Sequence, residues 1–176
     1  TITPIITNVI CFGDANGAAS VSVSGGNSPY TYQWLPGGQV TQSLTGLTAG
    51  NYSLTVSDNA GIDSTIVIVV SQPQTISDNF TIEAPFCTSN GSIVINVSGG
   101  TYPYQYSWNT GSTIAGILGI GAGDYSVLVT DANNCTANFS YSLTEAECFV
   151  RIESYFTPNG DGINDIWKIS NSQYFP

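Results

Sequence analysis

The chain has 176 residues and carries 12 acidic residues against two basic ones, which gives a formal net charge of −10 at pH 7. Arg151 and Lys168 are the two basic residues, so residues 1–150 offer no cation to a phosphate group. This argues against nucleic acid and against an anionic membrane surface as partners. The sequence also lacks histidine, which removes the usual general base, the Ser–His and Cys–His pairs and His-containing metal sites.

The sequence is typical of an exported chain. Charged residues make up 8% of it, far below the usual quarter, and Ser, Thr and Asn dominate its polar positions. It contains no apolar run of roughly 18 residues, the length that a membrane-spanning helix needs. Because it also contains no methionine, and hence no native start or signal peptide, we expect a C-terminal or internal fragment of a longer protein.

Three sequence blocks recur in the same order at an offset of about 74 residues, which indicates an internal repeat. The paired blocks are Ser22–Gly26 with Asn96–Gly100, Pro29–Trp34 with Pro103–Trp108, and Ala49–Asp58 with Ala122–Asp131. We therefore predict one domain over residues 1–73, a second over 74–146, and a short C-terminal segment over 147–176. The joint at Gln72–Gln74 is too short for the two domains to tumble freely.

Hydrophobic residues alternate with polar ones in each repeat, which is the signature of β-strands. Each repeat has room for about seven short strands separated by Gly, Pro and Asn turns, and no segment is typical of a helix. The continuous apolar run Ile66–Val70 predicts a buried closing strand. The predicted fold class is all-β, with two tandem immunoglobulin-like β-sandwiches followed by the first strands of a C-terminal β-domain.

The aromatic residues of the repeats have both a structural and a binding interpretation. Trp34 and Trp108 alternate in phase with neighbouring tyrosines, which favours core positions over a stacking platform for sugar. Tyr52 and Tyr125 each begin a strand after a glycine-containing turn, where we expect the hydroxyl to bond back to the backbone.

The stretch from Tyr155 to Trp167 is the least generic part of the chain and predicts a strand, a tight polar loop and a second strand. Pro158 ends the first strand, and Gly160 and Gly162 tolerate the positive φ angles of a turn. One interpretation is a turn held by bonds between its own side chains and backbone. The other is a calcium site, with oxygen ligands from Asn159, Asp161, Asn164 and Asp165. Asn/Asp/Gly clusters are ordinary turn chemistry, so we favour the turn.

The same stretch resembles a family. The resemblance covers Phe156 to Trp167, with Thr157-Pro158 followed by the Asn/Gly/Asp run. This segment is similar to the opening of the gliding-motility-associated C-terminal domain of Bacteroidota. That domain is the type B sorting signal of the type IX secretion system. That domain normally runs several tens of residues further. The resemblance implies outer-membrane partners: the translocon barrel, a shuttle barrel and a PorP/SprF-like barrel. The residues expected to contact them are Arg151, Tyr155, Phe156, Thr157, Pro158, Asn159, Gly160, Asp161, Gly162, Asn164, Asp165, Ile166, Trp167 and Lys168, of which the aromatic residues and Ile166 are the main anchors.

The repeats resemble a second family. The second repeat contains Cys87, an Asn-Gly-Ser turn, Gly99-Gly100, Trp108 and an Asp-rich turn ending at Cys135. This pattern is similar to the tandem repeat of SprB-type gliding adhesins and, more loosely, to polycystic-kidney-disease-type domains, which implies immunoglobulin-like or PKD-like β-sandwiches. In this family pattern an early cysteine pairs with a late one, which implies a Cys87–Cys135 disulfide. Ile62 stands near the place of the late cysteine in the first repeat. We therefore expect Cys11 and Cys148 to be unpaired, since a bond between them would span two domains.

Two functions follow from these patterns. The resemblances imply a large cell-surface adhesin of gliding motility, exported through the periplasm and held at the outer membrane by its C-terminal domain. The alternative is a carbohydrate-binding module of a secreted polysaccharide-degrading enzyme, with a surface polysaccharide as ligand. In neither case do we expect this chain to be an enzyme or to need a cofactor, calcium excepted.

Overall fold

The computed structural model describes residues 1–85, 90–145, 151–152 and 169–170. None of these residues forms a helix, so this part of the chain has no helix long and apolar enough to cross a membrane. The fold is all-β and immunoglobulin-like, as the alternating sequence pattern predicts.

The first repeat forms two antiparallel three-stranded sheets. Its strands are β1 (Ile2–Thr7), β2 (Gly17–Val23), β3 (Thr31–Leu35), β4 (Ser43–Leu47), β5 (Gly50–Ser57) and β6 (Asp63–Val70). One sheet has the order β1-β2-β4 and the other β3-β5-β6. The repeat thus has six strands where the sequence suggested about seven.

The inward-facing residues of these strands form one core. Ala19, Val21, Trp34, Leu54 and Ile68 are among the residues of a single buried cluster. In β2 and β5 the buried positions alternate with more exposed ones, as the alternation of hydrophobic and polar residues in the sequence predicts.

One prediction about this sheet is wrong in part. Ile66–Val70 lies in the closing strand β6, as predicted, but only the face that packs against the other sheet of the repeat is buried. Val67 and Val69 are 64% and 58% exposed, whereas Ile68 and Val70 are buried.

The second repeat has the same strand order. Its strands are β7 (Ser77–Glu83), β8 (Gly91–Ser98), β9 (Gln105–Trp108), β10 (Gly116–Ile120), β11 (Gly123–Thr130) and β12 (Thr136–Leu143). The sheets are β7-β8-β10 and β9-β11-β12, which match β1-β2-β4 and β3-β5-β6 strand for strand. Ile93, Ile95, Trp108, Val127 and Val129 are buried in this repeat. A short antiparallel pair, β13 (Arg151–Ile152) and β14 (Ile169–Ser170), follows.

The chain forms two compact units whose bounds differ from the repeat boundaries in the sequence. The first unit contains Thr1–Ser77 together with two segments of the second repeat, Ser98–Tyr104 and Thr130–Ala137. The second contains Asp78–Val97, Gln105–Val129 and, as far as the structure describes it, the chain from Asn138 onward. The end loops of the second repeat therefore belong to the first unit.

Candidate functional site

The acidic loop of the first repeat is built around the Asp58 carboxylate. This group accepts backbone N–H bonds from Asn27 at 3.0 Å, Ala60 at 2.9 Å and Ile62 at 3.0 Å. These bonds hold the pKa of Asp58 below the ordinary aspartate value, with the Ile62 bond as the largest cause and the Asn27 bond as the second. Desolvation raises the pKa in opposition, and the Ala60 bond lowers it further.

Asp131 organises the equivalent loop of the second repeat. Its carboxylate accepts backbone N–H bonds from Thr101 at 2.8 Å, Asn133 at 2.8 Å and Cys135 at 2.9 Å, and the residue is 3% exposed. The carboxylate oxygens of both loops thus accept backbone donors, which is the arrangement of a structural turn rather than of an acid–base or metal centre.

The aromatic residues hold the same positions in both repeats. Trp34 and Trp108 are buried, and their Nε1 atoms donate to the carbonyl oxygens of Thr41 and Ile114 at 2.8 and 2.9 Å. This confirms the predicted core positions and removes both tryptophans as stacking platforms for a sugar.

The two corner tyrosines also behave as predicted. The hydroxyl of Tyr52 donates to the carbonyl oxygen of Thr48 at 2.9 Å, and that of Tyr125 donates to Gly121 at 3.0 Å. These bonds tie each strand start to the turn that precedes it.

The disulfide prediction is wrong in its pairing. Cys135 is bonded to Cys11, with an S–S distance of 2.03 Å and a Cα–Cα distance of 5.6 Å, so the predicted Cys87–Cys135 pair does not form and Cys11 is not unpaired. The prediction assumed that a disulfide stays within one repeat. Both bonded residues lie in the first compact unit, because the loop that carries Cys135 packs there. Cys87 and Cys148 lie outside the described residues.

The loop that carries Cys11 is fixed by two side chains that follow it in the sequence. The N–H of Ile10 donates to Asn16 Oδ1 at 3.0 Å, and the N–H of Gly13 donates to Gln72 Oε1 at 2.9 Å. On the other side of the bond, the Asp131 carboxylate holds the N–H of Cys135. The disulfide thus joins two ordered loops, and Cys135 is 8% exposed.

A cavity of about 310 Å³ lies beside the disulfide within the first unit. Cys11, Phe12, Asp14, Pro73 and Cys135 are among the residues that line it. Asp14 is the only charged residue in this lining, so the cavity presents no cation to an anionic ligand.

One exposed aromatic residue escaped the sequence interpretation. Tyr102 is 80% exposed, and its ring makes an edge contact with that of Tyr104 at a centroid distance of 5.9 Å. Beside it, Asn133 Nδ2 donates to Thr101 Oγ1 at 3.0 Å. The alternation of aromatic residues puts Tyr102 in phase with the buried Trp108, so the sequence pattern gives no signal for its exposure.

The predicted sorting-signal residues from Tyr155 to Lys168 lie outside the described residues, and so do the four candidate calcium ligands. Arg151 is described only in its backbone, which pairs with Ser170 in the antiparallel β13–β14 pair. The stretch therefore lies between two paired strands in the sequence. The described part of the chain contains no group of three or more His, Cys, Asp or Glu residues that could hold a metal ion.

Comparison with known proteins supports the interpretation of the repeats. The family model of the SprB repeat matches residues 3–39 and 79–113, once in each sandwich. No curated protein matches the chain. Two SprB-type repeats on an all-β chain with a disulfide indicate an extracellular or cell-surface protein.

Several solved structures resemble the chain in fold alone. The C-terminal 282-residue fragment of intimin, in complex with the intimin-binding domain of the translocated intimin receptor, is 16% identical over 81% of this chain, with a TM-score of 0.42. The IG1+IG2 fragment of DIP-gamma is 12% identical over 82% of this chain, and the chain covers 98% of it, with a TM-score of 0.38. Extracellular domains 3–5 of Drosophila OTK are 10% identical over 81% of this chain, with a TM-score of 0.30, and the chain covers 59% of that structure. The chain spans 63% of the intimin fragment.

Proposed function

We propose that the chain is part of a cell-surface adhesin of the gliding-motility type, exported by the type IX secretion system and held at the outer membrane through its C-terminal domain. The observation that carries this proposal is the SprB-repeat match in both sandwiches, followed in the sequence by the Phe156–Trp167 motif. Residues 1–146 act as a semi-rigid stalk in it, and residues 147–176 begin the sorting domain.

The chemistry of the described residues supports a structural rather than a catalytic role. The two aspartates held in the end loops accept backbone donors, the tryptophans fill cores, and the sequence lacks histidine. We propose that recognition depends on the C-terminal segment, whose aromatic residues Tyr155, Phe156 and Trp167 are its anchors on outer-membrane barrels. Arg151 and Lys168, the only cations of the sequence, are secondary contacts.

The test is surface display in cells that express the native full-length protein. Deletion of residues 148–176 should abolish both surface exposure to an added protease and co-purification of an outer-membrane barrel in mild detergent. A matched control replaces Tyr102 by Ala, which leaves the segment intact and should change neither readout. Unchanged display and co-purification after the deletion would contradict the proposal.

A carbohydrate-binding module is the second candidate, and the exposed ring of Tyr102 favours it. Aromatic faces beside hydrogen-bonding side chains suit sugar rings, and the Thr101–Asn133 bond lies next to this tyrosine in the sequence and the loop. In affinity electrophoresis, a polysaccharide in the gel should retard the unmodified chain, and Tyr102→Ala should remove this retardation. The control Tyr32→Ala should keep it, because Tyr32 is half-buried.

For the C-terminal loop we propose a turn held by its own side chains, and the alternative is a calcium site with ligands from Asn159, Asp161, Asn164 and Asp165. If calcium binds there, titration calorimetry should detect heat that Asp161→Asn and Asp165→Asn abolish together. Absence of heat at millimolar calcium, with thermal unfolding unchanged in chelator, would leave the turn interpretation.

A further inference from the structure

The Cys11–Cys135 bond shortens the covalent path through the molecule. It joins two cysteines separated by 124 positions, one near the start of the first repeat and one near the end of the second. The shortest covalent path between the chain ends therefore runs from residue 11 directly to residue 135. Residues 12–134 lie on a closed loop beside that path.

Most of both sandwiches lies inside this closed loop. Strands β2 to β11 fall between the two cysteines, and so do both core tryptophans. β1 precedes Cys11 and β12 follows Cys135, so among the described strands of the two sandwiches only β1 and β12 lie on the direct path.

We propose that the Cys11–Cys135 disulfide is a tension shunt, through which a force applied to the chain ends bypasses strands β2 to β11. The force first loads the β1–β2 pairing, whose register runs from Ile2 opposite Val23 to Thr7 opposite Ala18. Once β1 and β12 are drawn out, the covalent bond carries the load, and the residues between the cysteines cannot extend. The tension shunt rests on the proposed adhesin function only for the source of the force, because an adhesin attached at both ends is pulled along its length.

The surroundings of the bond suit this role. Cys11 lies in a loop tied down by Asn16 and Gln72, and Cys135 is held through its own N–H by Asp131. Both anchoring loops are parts of one compact unit, so the load enters an ordered region. The cavity beside the bond, lined in part by Cys11, gives a small reductant an approach to the sulfur atoms.

Single-molecule pulling of the whole chain by its two ends tests the shunt. Without reductant, the unfolded molecule should remain shorter than its full contour length by roughly 410–450 Å, the extended length of the enclosed segment. At a constant force above that which unfolds the sandwiches, tris(2-carboxyethyl)phosphine should release this length. The phosphine is oxidised to its oxide with an oxygen from water, and both sulfurs become thiols. Because the bond bears the load, the release rate should rise with force.

Two double variants identify the bond. Cys11→Ser/Cys135→Ser should reach the full contour length without reductant, whereas Cys87→Ser/Cys148→Ser should keep the locked length. The unmodified chain with and without reductant gives the same comparison of full and locked length without any mutation. A folding defect in a variant therefore does not decide the outcome. Full extension of the unmodified chain without reductant, or a release rate indifferent to force, would overturn the proposal. Pulling requires no cell surface, so a chain that fails the display test can still show the shunt.

Discussion

Asp131 illustrates how one buried side chain can organise a loop. Its two carboxylate oxygens accept three backbone N–H groups, from Thr101, Asn133 and Cys135, and one of these belongs to a disulfide cysteine. A buried N–H without a partner is costly, so a single acceptor residue here stabilises a turn and positions Cys135 at the same time.

Replacement of Asp131 by Asn should destabilise the protein by about 1–3 kcal/mol, because an amide NH₂ replaces one acceptor and faces a backbone donor. Denaturant unfolding under non-reducing conditions measures this change. The matched control is Asp124→Asn on the exposed start of β11, which should stay within about 0.5 kcal/mol of the unmodified protein. Equal effects of the two substitutions would contradict the structural role of the Asp131 carboxylate.

Asp58 predicts a specific dependence of stability on pH. Backbone donation, chiefly by Ile62 and then Asn27, lowers the pKa of Asp58 in the folded state below the unfolded value of 3.8. The ionised form therefore stabilises the fold above the unfolded pKa, and this stabilisation is lost as pH falls through the lower folded pKa. Below about pH 4, the free energy of unfolding should fall less steeply for Asp58→Asn than for the unmodified chain. Identical slopes between pH 2 and 5 would show that Asp58 does not contribute.

At the scale of elements, the two Gly-Gly turns have the same backbone but different neighbours. Gly25 and Gly99 have φ angles of +80° and +76°. A Cβ on Gly25 would meet nothing within 4 Å, whereas a Cβ on Gly99 would clash with the carbonyl oxygen of Thr75.

The two alanine substitutions should therefore differ. Both incur the left-handed backbone cost of about 1–2 kcal/mol. Gly99→Ala must in addition displace the backbone of Thr75, so its loss of thermal stability should clearly exceed that of Gly25→Ala. Differential scanning calorimetry of both variants measures the difference. If Gly25→Ala were the more damaging of the two, the close approach of Thr75 to the turn would be refuted.

The strands show which features a sequence pattern specifies. Alternation identified the inward faces of β2 and β5, because side chains of a strand point to opposite sides and only one side faces the core. The same approach failed in part for Ile66–Val70, since a continuous apolar run does not reveal whether both faces of its sheet are covered. Ile68 and Val70 pack in the core between the two sheets, and Val67 and Val69 on the opposite face are exposed.

The disulfide shows the corresponding limit for sites. The sequence identifies Cys11 and Cys135 as cysteines in turn-rich loops, but their 5.6 Å Cα separation arises only when the segment Thr130–Ala137 packs into the unit of the first repeat. Four cysteines allow three pairings, and spacing alone does not choose among them. The sorting-signal prediction depends on a sequence motif, and its residues lie outside the described part of the chain.

At the scale of the whole molecule, the charge distribution predicts a response to salt. The chain carries 12 acidic and two basic residues, and residues 1–150 contain no cationic side chain that could pair with a carboxylate. Like charges repel one another in the compact state, and screening shortens the range of this repulsion from about 30 Å at 0.01 M salt to about 8 Å at 0.15 M. Added salt should therefore stabilise this protein, whereas proteins held together by ion pairs lose stability under the same change.

We expect the thermal midpoint to rise by roughly 2–4 °C between 0.01 and 0.15 M NaCl at pH 7, which corresponds to about 1 kcal/mol for a chain of this size. Circular dichroism melts under non-reducing conditions measure the shift with the disulfide intact. The control is the same titration at pH 3, where most carboxyl groups are protonated and the rise should largely vanish. A midpoint that falls with salt at pH 7 would mean that attractive ion pairs outweigh the repulsion among the carboxylates. With Arg151 and Lys168 as the only cationic side chains, such pairs would have to involve the C-terminal segment.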